Sequence, residues 1–591
     1  MWAQEPNRLE EVVVTATRTR LPKSKVTKSV SVVSAEQIER QHVQTALEVL
    51  RNVPGVFVRR SGAVGRTTST VIRGSTDDQV VVLLDGVEVS SPTLGNFNWS
   101  TLPADSIERI EVLRGSASTL YGSKAIGGVI NILTKRGESP MRTSYQQEFG
   151  TLRTFREVIT NQAAFGPVHY HVGLSRFDSN GLSVGDDVEV THVAAAGGVQ
   201  LAEWLTWDVA LNNNDSHVGI DDGAFLPDPN RFSEREHLAL STTLNATPLE
   251  RWEQELRFTF NDDDTLEIDV GNPGTTQATT KSRFNTDRYG MDWLNRFGLD
   301  RWGLLTAGFE LKDEEAESTG FDKTVFQWAW FLQHQLDVSD RLTLIGGVRN
   351  LRHNFFGHET TSEVSASYRV PVTGTRLRVS FSQGFRAPDL NDLFFPNFGN
   401  PNLEPEDSES YEVGIGQDWW HGRLGGELTV FRTEVDQLIQ AVRVSSTVTE
   451  AQNINETEME GFEVEAHLEP AAGLRILAHW TYTDAEEEPS KEELVRIPKH
   501  QVGFNLDYEF LTRWRLNLDA TLVDHREESR ATNKRERTKG YATVDAALTV
   551  QATDRLQLYG RIENLFDRHY SEVLGFPAPG TLFFIGGKVE I

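Results

Sequence analysis

The side chains of this sequence that could do chemistry are mostly carboxylates, and they are scattered. Asp186-Asp187, Asp215, Asp221-Asp222 and Asp228 punctuate one polar stretch as a candidate constellation. The chain has 86 acidic and 58 basic residues and a formal net charge of -28. In such a chain, solvated acidic loops are the commoner explanation of acidic runs. Cysteine is absent, so thiolate metal sites and disulfides do not enter. No His-Glu-x-x-His, no Gly-x-Ser-x-Gly and no phosphate-cradling glycine loop with lysine occurs. His169 and His171, or His353 and His358, read as strand and loop residues and not as ligands. An enzyme is therefore a poor reading. The negative balance also repels nucleic acid, which needs basic patches to displace counterions, so no nucleic-acid partner is expected.

The elements that position these residues change character along the chain. With 38% hydrophobic residues and a mean hydropathy of -0.40, no run approaches the ~18 apolar residues of a spanning helix. A closed barrel is the remaining way to cross a membrane, because its strands alternate lipid-facing and lumen-facing residues. From about residue 140 that alternation is present. Val502, Phe504, Leu506, Tyr508 and Phe510 alternate with polar residues, and Trp514, Leu516, Leu518, Ala520 and Leu522 do the same after a short turn. In the last strand Phe583, Ile585, Val589 and Ile591 share a face, with Phe584, Lys588 and Glu590 on the other. Connections alternate between long (484 to 498, 525 to 540, 567 to 580) and short (511 to 513, 551 to 554), as short periplasmic turns and long extracellular loops would. At ~20 residues per strand plus connection, the barrel holds about 22 antiparallel strands. A soluble propeller would show a repeat of ~40–45 residues, and none is found.

The first ~140 residues read instead as a small α+β globule. Ser34-Ala35-Glu36-Gln37 has the form of a capping box, and Thr45 to Leu50 opens a second short helix before Pro54-Gly55. Val80 to Leu84 is an apolar run closed by Asp85-Gly86, a buried strand with a tight turn. The division is thus 1–20 as an N-terminal segment, 21–137 as the globule and 138–591 as the barrel. Met1 to Pro6 lacks the n- and h-regions of a secretory signal, which suits a mature or truncated start.

Nearly the whole chain resembles the TonB-dependent outer-membrane receptors. Glu10-Glu11-Val12-Val13-Val14-Thr15-Ala16-Thr17-Arg18 is similar to their Ton box, with Glu11, Val12, Val13, Val14, Thr15 and Ala16 as the partner-binding residues; such a segment adds a strand to a partner's sheet edge. We expect it to be extended and outside the apolar core of the globule. Leu50 to Val56, Ile72-Arg73-Gly74, Leu83 to Val87, Ile107 to Gly115 and Tyr121 to Ile132 resemble the family's plug, and Glu563 to Tyr570 its late-barrel signature. Ile591 stands where the usual terminal residue is aromatic. Arg73 and Arg114 are expected to pair with carboxylates of the plug or inner wall and lock position.

The resemblance implies an all-β transmembrane barrel with the plug in its lumen, in the outer membrane with both termini periplasmic. It also implies import driven by TonB with the ExbB-ExbD motor. Among the family the chain looks most like the cobalamin receptors. Phe385-Arg386-Ala387-Pro388 and Asn400 to Glu406 occur also in haem receptors, but no histidine lies between these blocks, and haem needs an axial donor. The substrate, a corrinoid or else an iron chelate, is expected on the plug apices: Arg60, Ser61, Arg66, Ser91, Asn96, Phe97 and Asn98, with Phe97 and Trp99 offering apolar surface. The acidic balance disfavours anionic siderophores, although Arg59, Arg60 and Arg66 form a local positive cluster that could accept an anion. Cobalamin receptors hold calcium with aspartates of early barrel loops, which map onto Asp215, Asp221, Asp222 and Asp228; no other cofactor is required. Outer-membrane lipid and a surface lipoprotein complete the expected partners. The competing readings are a ferric-siderophore receptor, a passive porin and a surface adhesin. A plug blocks a porin's lumen, and only nine residues precede Glu10, which disfavours a signalling domain.

Overall fold

The computed structural model describes residues 12–221, 225, 228–270, 279–445, 448–454, 456–529 and 535–591. Its N-terminal globule is built by local chemistry. The Ser34 hydroxyl accepts from Gln37 N while the Gln37 side chain accepts from Ser34 N, and this box starts the helix Ala35–Gln41. His42, in the left-handed region at φ 51, ends it. The helix Ala46–Leu50 begins at a second box made by Thr45 and Glu48. Val80–Leu84 runs parallel to Gly128–Thr134, then turns through Asp85 (φ 50) and Gly86 (φ 84) into Val87–Glu88. Positive φ at both central residues is what a tight hairpin of this hand requires. With Val30–Ser34 and Ile107–Arg114 these strands make a five-stranded mixed sheet, packed on Leu47, Leu50, Ile72 and Trp99.

From Arg142 the chain forms a closed antiparallel barrel of 22 strands, with the two-residue Glu492–Glu493 added beside the strand Leu474–Glu487. Arg142–Gly150 closes the ring against Leu582–Glu590, Ser144 facing Glu590. The period-2 pattern explains the two faces: Phe583 and Ile585 are 56% and 69% exposed outward, whereas Phe584 between them is 6% exposed. Polar residues such as Glu148, Asn212, Ser241, Glu310, Glu363 and Glu463 are buried on the inner side, where the globule fills the lumen. Connections at one end are short, such as Phe165 to Val168 and Ala471 to Leu474; those at the other are long, such as 387–405 and 524–540. The first and last barrel strands begin and end at the short-turn end. No helix among the described residues is long and apolar enough to cross a membrane.

One expectation fails here. Val13 and Ala16 are buried and belong to an apolar cluster with Leu21, Val26, Leu113, Leu120 and Tyr121. The N-terminal segment is folded into the plug and not held clear of it, because Val13 and Ala16 find apolar surface between sheet and barrel wall.

Candidate functional site

Charged pairs hold the globule in the lumen. Arg73 follows the strand Thr68–Ile72 with φ 53, a conformation that aims its side chain into the wall. Its Nη1 donates to Glu412 at 2.7 Å, and its Nε and Nη2 donate to the two oxygens of Glu463 at 2.8 Å each. Arg114 donates to Glu463 at 2.9 Å and to Glu465 at 2.8 Å. Burial disfavours the charged Arg73 guanidinium, but Glu463 and Glu412 outweigh it and hold its pKa above the ordinary value. Lys28 pairs with Glu363, Arg40 with Asp507 at 2.6 Å, and Arg51 with Glu572 at 2.7 Å. A plug held by ion pairs and hydrogen bonds can be displaced into water at less cost than one held by apolar packing, since water solvates the separated charges.

The N-terminal segment is tied down by one buried carboxylate. Val14 N and Thr15 N donate to Glu111 Oε2 at 3.0 and 2.8 Å, and the Thr15 hydroxyl donates to the same oxygen at 2.7 Å. Tyr121 donates to Thr15 O at 2.9 Å. Val12–Val13 pairs with Leu21–Pro22, which leaves the Val12 side chain exposed. Arg18 ends the segment in an ion pair with Glu310 at 2.6 Å, its guanidinium 4.6 Å from the Tyr121 ring centre. The backbone N–H groups of Val14 and Thr15 are thus occupied. Glu11 lies outside the described residues.

Beside this segment runs a cavity of about 1330 Å³ between plug and wall. It is lined at the short-turn end by Gly137, Pro167 and Gly298, and it reaches inward past Arg18 to Glu88 and Lys312. Lys312 pairs with Glu88 there, and both residues also line a small pocket on the far side with Phe355, Asp389 and Leu390.

At the long-loop end the plug presents the hairpin Val56–Arg60/Thr68–Ile72 and the loop 89–98. The residues expected to touch substrate are mostly engaged otherwise. Arg60 pairs with Glu48 at 3.4 Å and donates to Gly62 O, while its N–H donates to Glu572 at 2.7 Å. Ser61 N donates to Thr67 O. Ser91 accepts from Thr93 N and Leu94 N, closing a turn whose tip, Leu94, is exposed. Asn96 donates to Asp77 at 3.4 Å, and the Asn98 side chain caps the turn Trp99–Thr101. Phe97 and Trp99 are buried edge to face, with ring centres 5.0 Å apart. Both belong to the apolar core of the globule with Leu47, Leu84 and Leu102.

The acidic constellation also resolves differently. Arg66 is buried between two loops, pairing with Asp186 and, at 3.3 Å, with Asp221. Asp215 sits on the outward, exposed face of the strand Leu205–Gly219, while neighbouring Asn214 and Ser216 point in. Asp228 is buried and accepts from Asn230 N at 2.9 Å. Asp222 lies outside the described residues. Among the described residues no group of three or more His, Cys, Asp or Glu side chains is placed to hold a metal ion. Of the aspartates expected to hold calcium, Asp221 is instead paired with Arg66, whose guanidinium bridges it to Asp186.

A plug on a charged interface, a docked N-terminal strand beside a cavity and long loops above the plug define an outer-membrane barrel whose lumen opens only when the plug is moved. The family model "TonB dependent receptor-like, beta-barrel" matches residues 146–565, and "TonB-dependent Receptor Plug Domain" matches residues 22–129. The chain belongs to the TonB-dependent receptors, outer-membrane transporters that take up small molecules with energy coupled through TonB. It is 28% identical over 595 residues to "Vitamin B12 transporter BtuB" of Photobacterium profundum, covering 96% of this chain and 94% of that one. The protein of the same description from Vibrio vulnificus is 27% identical, with 99% and 95% covered. Among solved structures, the siderophore receptor PirA from Acinetobacter baumannii superposes with a TM-score of 0.81 at 17% identity, covering 96% and 99% of the two chains. The copper transporter OprC superposes with a TM-score of 0.83 at 17% identity, covering 95% and 99%. These superpositions establish the fold alone.

Proposed function

We propose that the imported nutrient is cobalamin or a related corrinoid. The observation that carries this reading is the 27–28% identity to vitamin B12 transporters across nearly both full lengths, whereas the superposed siderophore receptor shares 17%. The missing histidine between Pro388 and Asn400 supports it against haem. In this reading the short turns and both termini face the periplasm, the long loops face outward, and TonB with ExbB-ExbD supplies the pull. A surface lipoprotein that captures the substrate belongs to the same reading.

Substrate binding at the long-loop end frees Val14 and Thr15 from Glu111 and Val12–Val13 from Leu21–Pro22, and TonB adds a strand to the freed backbone. Removing Arg18 from Glu310 then widens the cavity that already lies beside it. The nutrient passes along this wall once the Glu88–Lys312 pair at its inner end parts. A ferric-siderophore receptor of the same family is the second reading, favoured by the arginines at the plug apex, Arg59, Arg60 and Arg66, which could accept an anion.

Equilibrium binding of the purified protein to cyanocobalamin, ferric enterobactin and haem tests the proposal. Tight binding of cyanocobalamin alone is expected; tight binding of the iron chelate with none of the corrinoid overturns it.

A further inference from the structure

The positive cluster at the plug apex is not uniform. Arg60 is matched by Glu48, and Arg66 by Asp186 and Asp221. Arg59 has no such partner among the described residues: its Nε and Nη2 donate only to the hydroxyl of Ser69, its cross-strand neighbour, at 3.1 and 2.6 Å. It shares a strand face with Phe57, two residues away. Over Phe57 lies Arg526, with its guanidinium 5.6 Å from that ring and 5.5 Å from the Tyr541 ring.

Arg526 is 1% exposed and, among the described residues, forms no ion pair either. It donates to the carbonyls of Asp524, Ser571 and Glu572 at 3.2, 2.9 and 3.3 Å, and its Nε is buried without a hydrogen-bond partner. The acids nearby are already engaged: Glu528 by Arg496 at 2.8 Å and Glu572 by Arg51 at 2.7 Å. Burial pushes the Arg59 guanidinium below its ordinary pKa; Asp77 and Glu528 oppose that shift, and Arg496 and Arg526 add to it. Guanidinia without a carboxylate partner favour an incoming anion, because Arg59 gains charge-assisted hydrogen bonds that nothing in the protein supplies and the buried Arg526 adds positive potential beside it.

We propose that Arg59 and Arg526 form the subsite that takes the anionic group of the imported nutrient. On the corrinoid reading above, on which this inference rests, that group is the phosphodiester of the nucleotide loop. Arg59 makes the direct contact and Arg526 supplies the field. An iron chelate with phenolate or carboxylate groups carries the same chemistry, and the test distinguishes the two sources.

The experiment measures equilibrium binding of cyanocobalamin and of dicyanocobinamide, which lacks the phosphodiester, to the full-length protein and to Arg59→Gln and Arg59→Lys. Arg59→Gln weakens cyanocobalamin by about 10–100-fold, the size of one charge-assisted hydrogen bond. It leaves dicyanocobinamide unchanged, which also reports an intact fold, and Arg59→Lys recovers part of the loss. Equal loss for both corrinoids, or no loss, overturns the subsite while the corrinoid reading stands. If the unmodified protein binds neither corrinoid, that reading fails, and the same variants are measured with ferric enterobactin, a trianion. A comparable loss there supports the anion subsite; unchanged affinity, or no binding of any probe, overturns it.

Discussion

Glu463 receives both Arg73 and Arg114, so a few side chains fix the plug against one stretch of wall. Replacing Arg73 with methionine leaves Glu412 buried without its partner. Breaking such a pair from one side costs about 3–5 kcal/mol. Arg73→Met therefore melts earlier in detergent by scanning calorimetry, and adding Glu412→Gln restores part of the difference, Glu463 keeping Arg114 as its partner. An additive loss in the double variant would show that the pair does not hold the plug. Arg66 gives a second test, since its guanidinium sits between Asp186 and Asp221. Affinity for cyanocobalamin stays unchanged in excess chelator, and Arg66→Met weakens it. A chelator-sensitive affinity would instead show that calcium orders these loops. The sequence showed that Arg73 and Arg114 would meet carboxylates, because short motifs placed them at turns. It did not show that Arg66 pairs with Asp186 and Asp221 or that Phe97 and Trp99 are core. Those outcomes depend on loops and sheets far away along the chain.

Among the elements, the N-terminal segment departs furthest from its sequence pattern. A run such as Val12 to Ala16 reads as a free strand, yet its fate is set by Glu111, Tyr121 and Glu310, which no local pattern connects to it. The barrel strands were legible for the opposite reason: alternation is local, and the lumen and lipid impose it on every strand. Because the chain has no cysteine, a nitroxide on Val12→Cys reports on the segment alone. Its spectrum is that of an immobilised label in the otherwise unmodified protein and becomes mobile when Glu111→Ala is added, with cyanocobalamin still bound. A label that stays immobile would mean Glu111 is not the tether.

For the molecule as a whole, the cavity lies on one side of the plug, and the proposed path predicts that the plug moves on that side. Cysteines at Glu88 and Lys312, joined by a short bis-maleimide, lock the inner end of the cavity. Cysteines at Asn52 and Asp519, whose native side chains hydrogen-bond at 2.8 Å away from the cavity, tether another wall. Uptake stops with the first link and continues with the second; a block by both would mean that the plug leaves as one body.

On the proposed reading this protein concentrates a corrinoid by force applied to its N-terminal segment. Uptake of labelled cyanocobalamin, by cells whose only outer-membrane route is this protein, tests it most directly. Proline at Val13 removes a backbone donor needed for strand addition. Cells with the unmodified chain accumulate the label until the proton-motive force is dissipated, and cells with Val13→Pro bind it at the surface but do not accumulate it. Equal accumulation by the proline variant, or accumulation that persists after the force is removed, would contradict the account.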